Sequence, residues 1–370
     1  MISGGSFMRR LTLNRGLLAW SLLCLSWRAL GQLSNSPFTV TWAEGQCVRC
    51  KTAANLTDVH WVSRQEAWGI GIGNDGVHDY SIVHTTDSGK TWKELPNGRQ
   101  YMGSPALAFL DSAHAWYSCS NVPCGGIVPG SRTFRTVDGG RHWQLISNEG
   151  MEAMAFSDQD HGIGRAFGVG DTGNAVRTVD GGRTWSKIEI PHLKKIGNII
   201  LLSGQIAWIT DREGNDLMLF RTIDGGRSWR ESSTSLPAEW PQIRQISFVD
   251  QDHGWIVLKR KEDAEIRLLA TSDGGQTWQL LSTPSVRNYN PWPDVVGFVS
   301  KKVGFVFEDG NPETSDYKRH DILYTADGGA TWQRYPSPYS VFSCQMVDRD
   351  LICSADKEGS HFGVLTIHPK

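Results

Sequence analysis

Short apolar runs alternate with polar turns along this chain, and no stretch sustains the spacing of an amphipathic helix. In one representative stretch the runs fall near 151–157, 161–169, 174–179 and 184–190, which predicts four strands. A hairpin pattern recurs, made of an apolar strand, a polar turn, a small residue and an aromatic strand. It reads FLDSAHAW at 109–116, FSDQDHGI at 156–163, FVDQDHGW at 248–255 and FVSKKVGF at 298–305. LLSGQIAW at 201–208 and VSRQEAWG at 62–69 are looser versions.

Each hairpin is followed by a near-identical octet. The copies are TTDSGKTW (85–92), TVDGGRHW (136–143), TVDGGRTW (178–185), TIDGGRSW (222–229), TSDGGQTW (271–278) and TADGGATW (325–332). Their closing tryptophans are 51, 42, 44, 49 and 54 residues apart. Four strands per unit at such a period predict an all-β propeller of four-stranded antiparallel blades. The octet falls between the third and fourth strands, at the rim of the blade. Its glycines supply positive φ at low steric cost. Its aspartate accepts hydrogen bonds from its own turn. Its tryptophan is expected on the packed side, where truncation to alanine would cost roughly 3–5 kcal/mol. Asp87, Trp92, Asp138, Trp143, Asp180, Trp185, Asp224, Trp229, Asp273, Trp278, Asp327 and Trp332 are therefore read as scaffold.

This octet resembles the Asp-box, or BNR repeat, and six copies over about 56–336 make the resemblance strong. Asp-box propellers include sialidases, xyloglucan-active glycosidases, the sortilin luminal domain and the photosystem II stability/assembly factor-like family. The chain resembles the last most. It shares a signal peptide, a single propeller of similar length, dense T-x-D-G-G-x-T-W copies and arginine before the box (FRT at 134–136 and 220–222, VRT at 176–178). The resemblance implies a non-enzymatic binding or assembly scaffold whose partner is a membrane protein or its precursor. It does not establish a photosynthetic role.

Six boxes do not require six blades. After Trp332, Ser343–Val347 and Leu351–Ala355 read as a hairpin and Phe362–His368 as a third strand, with no box following. Phe38–Trp42 (FTVTW) is available as the missing fourth strand. A last blade built from both ends would close the ring and remove exposed edges. Seven blades are expected, with six as the alternative.

Composition adds the compartment. Arg9, Arg10 and Arg15, the apolar run 17–27, and Ala29-Leu30-Gly31 before Gln32 read as an export signal. Residues 1–31 are the expected signal peptide and 32–370 a single propeller domain, periplasmic or extracellular. Removing 1–31 takes away four of 37 basic residues and no acid, leaving 33 against 39. Nothing in that balance suggests nucleic acid. Six cysteines remain as local pairs, Cys47/Cys50, Cys119/Cys124 and Cys344/Cys353, and read as disulfides. CVRC at 47–50 could instead be redox-active or half a zinc site, but no second half follows.

Chemistry is harder to place. No catalytic residue, metal or cofactor site is assigned. A glycosidase needs two facing carboxyls, and the R-I-P triplet of sialidases does not occur. Carbohydrate binding or hydrolysis is kept as the competing class. The DQDHG segments at 158–162 and 250–254 fall in hairpin turns and read as structural. Arg135, Arg177 and Arg221 recur at one register of the third strand, either as a basic strip for an acidic partner segment or paired with acids of neighbouring blades; the structural role is favoured. Arg132 and Arg165 lie off that register, near loops, and are expected to be freer to bind. The longest insertions are 117–133, 284–294 and 307–321, and they carry Arg287, Tyr289 and Trp292 as contact residues. A monomer with a protein partner is expected, with a glycan as the alternative ligand.

Overall fold

The computed structural model describes residues 36–48, 55–72, 79–101, 106–119, 131–167, 174–211, 216–235, 242–260, 265–281, 286–287, 296–309, 320–357 and 362–370. Every regular element among them is a β-strand, and the strands form seven sheets. Blade 1 holds Asn55–Trp61, Ala67–Ile72, Asp79–Thr85 and Thr91–Tyr101. Blade 2 holds Ala106–Phe109, Ala115–Cys119, Arg132–Thr136 and Gln144–Ser147. Blade 3 holds Met151–Phe156, Gly162–Ala166, Asn174–Thr178 and Ser186–Lys187. Blade 4 holds Ile196–Leu201, Ala207–Asp211, Asp216–Thr222 and Arg230–Ser235. Blade 5 holds Gln242–Phe248, Gly254–Lys259, Glu265–Thr271 and Gln279–Leu280. Blade 6 holds Val296–Phe298, Gly304–Asp309, His320–Thr325 and Gln333–Ser337. The first strands of consecutive blades pack on one another, so they line the axis and the fourth strands form the rim.

Blade 7 closes the ring from both ends of the chain. Tyr339–Val347, Asp350–Lys357 and Phe362–Pro369 are followed by Phe38–Glu44 as the outer strand, paired antiparallel with Phe362–Pro369 from Phe38↔Pro369 to Glu44↔Gly363. This blade lacks a box because its third and fourth strands come from opposite ends of the chain. Phe38 is fully buried against Phe305, Tyr324 and Tyr335 of blade 6. Cys344 and Cys353 face each other across the first hairpin of the blade and form a disulfide. Cys119 is also disulfide-bonded, while Cys50 and Cys124 lie outside the described residues. Cys47 lies in a short strand, Gln46–Val48, that adds parallel to the rim of blade 1 opposite Trp92. That strand was not anticipated from the sequence.

The box turns form as their residue types dictate. In blade 6, Asp327 accepts Thr325 Oγ1–H and Thr331 N–H on one oxygen and Thr331 Oγ1–H on the other, and Gly328 and Gly329 have φ of 78° and 96°. These hydrogen bonds hold the Asp327 carboxyl down at about 2. The packing differs from expectation in one respect. Of the six box tryptophans only Trp92 is fully buried; the other five are partly exposed at the rim. The second-strand tryptophans Trp68, Trp116, Trp208 and Trp255 are instead all buried. Each stacks on the phenylalanine that ends the first strand of the next blade, as in Trp116–Phe156 (3.7 Å), Trp208–Phe248 (3.8 Å) and Trp255–Phe298 (3.6 Å). The box tryptophan of that next blade meets the same phenylalanine edge-on. In blades 3, 5 and 6 a glycine (Gly162, Gly254 and Gly304) opens the second strand, and the phenylalanine that ends the first strand of the same blade lies against it; a Cβ on Gly254 would sit 2.5 Å from Phe248.

Candidate functional site

Antiparallel blades sort the connections onto two faces. First-to-second and third-to-fourth strand turns, the boxes included, lie on one face. Second-to-third connections and the crossings between blades lie on the other. The chain enters and leaves all three long insertions, 117–133, 284–294 and 307–321, on this second face. The sequence-predicted residues divide accordingly. Arg135, Arg177 and Arg221 end third strands on the box face. Arg132 and Arg165 stand at strand ends on the loop face, and Arg287 pairs in register with Glu265 there. Tyr289 and Trp292 lie outside the described residues.

The three box-face arginines are committed to seams between blades. Arg135 lies 5.1 Å over the Trp116 ring and reaches the box of blade 3, where a Cβ on Gly181 would sit 2.3 Å from its Nη1. Arg177 Nη1 donates to Gly225 O of blade 4 at 3.3 Å. Arg221 lies 5.6 Å over Trp208, donates to Asp273 O at 3.5 Å and stands 3.8 Å from Asp252 of blade 5. Each arginine therefore fastens its own blade to the next. The DQDHG turns are equally internal. Asp250 accepts Asp252 N–H and His253 N–H and bonds the His253 ring, and Asp158 does the same with Asp160 and His161.

The loop face gathers cations from blades 2, 3 and 5. Arg132 is half-buried at the start of its strand and has no ion pair among the described residues. Arg165, expected to be free of such contacts, is not. It pairs with Glu152 at 2.7 Å and donates to Ile196 O at 2.9 Å, tying blade 3 to the first strand of blade 4. Lys259 was missed by sequence reasoning. It ends the second strand of blade 5, and burial together with the positive Arg244 pushes its ammonium below the usual lysine range. The sequence signal at this position is a basic run, LKRK at 258–261. Glu265 is held between Arg260 and Arg267, and Arg334 between Glu308 and Asp321, so buried acids at this face are already neutralised. Among the described residues no group of three His, Cys, Asp or Glu side chains could hold a metal ion.

Comparison with known proteins agrees with this geometry. A sortilin/Vps10 family model (sortilin, neurotensin receptor 3) matches residues 173–292. No curated protein matches the sequence. Among solved structures, YCF48 bound to a D1 peptide is 14% identical, with a TM-score of 0.57 over 90% of this chain and 98% of that one. YCF48 from Cyanidioschyzon merolae is 14% identical, with a TM-score of 0.52 over 89% and 98%. The GH74 xyloglucanase from Xanthomonas campestris is 12% identical, with a TM-score of 0.50 over 79% of this chain and 49% of its own. At these identities the likeness is one of fold, an Asp-box propeller.

Proposed function

We propose that this chain is a non-enzymatic scaffold that captures a polypeptide segment on its loop face during assembly or maturation of a membrane protein. The observation that carries this reading is the division of labour between the faces. The box face carries the box turns and the arginine-fastened seams, whereas every long insertion opens on the face where Arg132, Arg244 and Lys259 stand. Variable loops on a rigid ring are suited to recognition. The cations there favour an acidic segment, which would also relieve the repulsion between Lys259 and Arg244. A propeller of the same span solved with a peptide bound is a precedent for this mode of use. The N-terminal features described above support export, with residues 32–370 acting outside the cytoplasm.

The test is affinity capture by residues 32–370 from a detergent-solubilised envelope extract, beside the double variant Arg132→Glu/Lys259→Glu. A reproducible membrane-protein partner lost in the variant, with thermal stability unchanged, is the expected outcome. A partner captured equally by both proteins would remove the loop face from the mechanism.

A further inference from the structure

The seam between blades 5 and 6 departs from the three that an arginine fastens. At the position of Arg135, Arg177 and Arg221 it carries Ala270. Between blades 3 and 4, Arg177 leaves a cavity of about 60 Å³; the corresponding groove between blades 5 and 6 is about 550 Å³. A Cβ on Gly181 or Gly274 would collide with an arginine, whereas one on Gly328, the equivalent in blade 6, would meet only the backbone of Lys301.

Two further substitutions accompany the missing arginine. The first-hairpin turn facing the arginine is acidic at blade 5, where Asp252 stands 3.8 Å from Arg221. In blade 6 the same turn reads Ser300-Lys301-Lys302; Lys302 takes the place of Asp252, Lys301, which lines the groove, takes that of Gln251, and neither lysine has an ion pair among the described residues. The charge facing the seam is thus reversed. The tryptophan beneath it also loses its partner. Trp116 Nε1 donates to Gly181 O and Trp208 Nε1 to Gly274 O, both at 2.9 Å. Trp255 is 3% exposed, lines the groove together with Gly328, and its Nε1–H has no hydrogen-bond partner among the described residues. A buried donor left unpaired keeps its desolvation cost without the compensating bond.

A cavity, an unused donor and a cation in place of an acid call for an acceptor that carries negative charge. Asp327 also lines the groove, but its oxygens are taken up by its own turn. Leu280, 54% exposed, supplies an apolar wall. We propose that the groove between blades 5 and 6 binds the carboxylate of an acidic side chain in a polypeptide, with its apolar neighbour against Leu280. The carboxylate lies between Lys301 and the Trp255 indole. The site is on the face opposite the loops, and the assignment is independent of the loop-face reading.

The probe is the blocked peptide acetyl-Gly-Leu-Glu-Leu-Gly-amide, with the Gln peptide as control. The readout is the indole N–H resonance of Trp255 in the protein of residues 32–370, assigned with Trp255→Phe. The Glu peptide is expected to shift that resonance and to bind at least about tenfold more tightly than the Gln peptide, the size of one charge-assisted hydrogen bond. Ala270→Arg, which restores the side chain used at three other seams, is expected to abolish the shift. Lys301→Gln/Lys302→Gln is expected to weaken binding without changing the unfolding midpoint, and Arg132→Glu to leave it intact. An unmoved resonance, equal binding of the Gln peptide, or full binding by the double lysine variant would overturn the assignment. Acetate binding as well as the Glu peptide would overturn its polypeptide part.

Discussion

Phe38→Ala tests ring closure most directly. Phe38 is the first residue of the strand that completes blade 7. It is fully buried, with ring centroids 5.3 Å from Phe305, 5.7 Å from Tyr324 and 5.2 Å from Tyr335. Truncating a phenylalanine in such a site costs about 3–5 kcal/mol, part transfer and part cavity. The surrounding rings belong to blade 6, so the loss falls on the contact that docks the closing strand of blade 7 onto its neighbour. An unfolding entropy of ~2.1 cal/mol/K per residue over ~330 residues gives ~0.7 kcal/mol/K, so a loss of ~4 kcal/mol lowers Tm by roughly 6 °C. The assay is urea unfolding followed by tryptophan fluorescence, alongside calorimetry and limited proteolysis of the N-terminal strand. Leu145→Ala, at a residue 44% exposed on the rim of blade 2, is the control and is expected to cost under about 1 kcal/mol. A loss below about 1 kcal/mol for Phe38→Ala, with the N-terminal strand still protected, would refute the claim that this seam is part of the cooperative fold.

Two further outcomes are expected. Arg221→Ala removes the ring contact with Trp208 and the donation to blade 5, and should destabilise by about 1–2 kcal/mol in urea titrations; Arg132→Ala should change stability by less than about 0.5 kcal/mol, and equal effects would deny the seam role. Stability should also fall in two steps on acidification. Burial holds His60 at about 4, below the ~6.5 of an unfolded histidine, so the unfolded chain takes the proton first and stability drops as pH falls from about 6.5 to 4. The box aspartates lie below the ~3.9 of an unfolded aspartate, with Asp138 and Asp327 at about 2, so their contribution is present above that value and is lost as pH falls towards 2. His60→Gln should flatten the first step alone, measured as midpoint against pH; an unchanged profile would refute its assignment.

What the sequence made legible is what is local. The box octet encodes its turn within eight residues, since Asp327 bonds only Thr325 and Thr331 around it. The hairpin turns at Asp158 and Asp250 are likewise closed over three residues. Counting boxes against the unpaired C-terminal strands even located the closing strand, because a four-stranded blade with three strands in hand has one place left. The Cys344–Cys353 pair could be read because it lies within one hairpin.

What escaped the sequence depends on which blades become neighbours. The box tryptophans looked like the deepest anchors, yet the rim leaves most of them partly exposed and the second-strand tryptophans take the interior. Trp116 donates to a carbonyl 65 residues away, and Arg165 to one 31 residues away. No periodicity reports such partners, because they meet only when one twisted sheet packs on the next. The six octets and their spacing thus determined the blade and its turns, and the box-less strands at the two ends of the chain pointed to a seventh blade. The closed ring alone decided which arginines are spent on seams, which face is left to the loops, and that Ala270, Lys301 and Trp255 share one groove. Strand and turn follow from neighbours in the chain, whereas a seam is a contact between different blades, set only by how the ring packs them side by side.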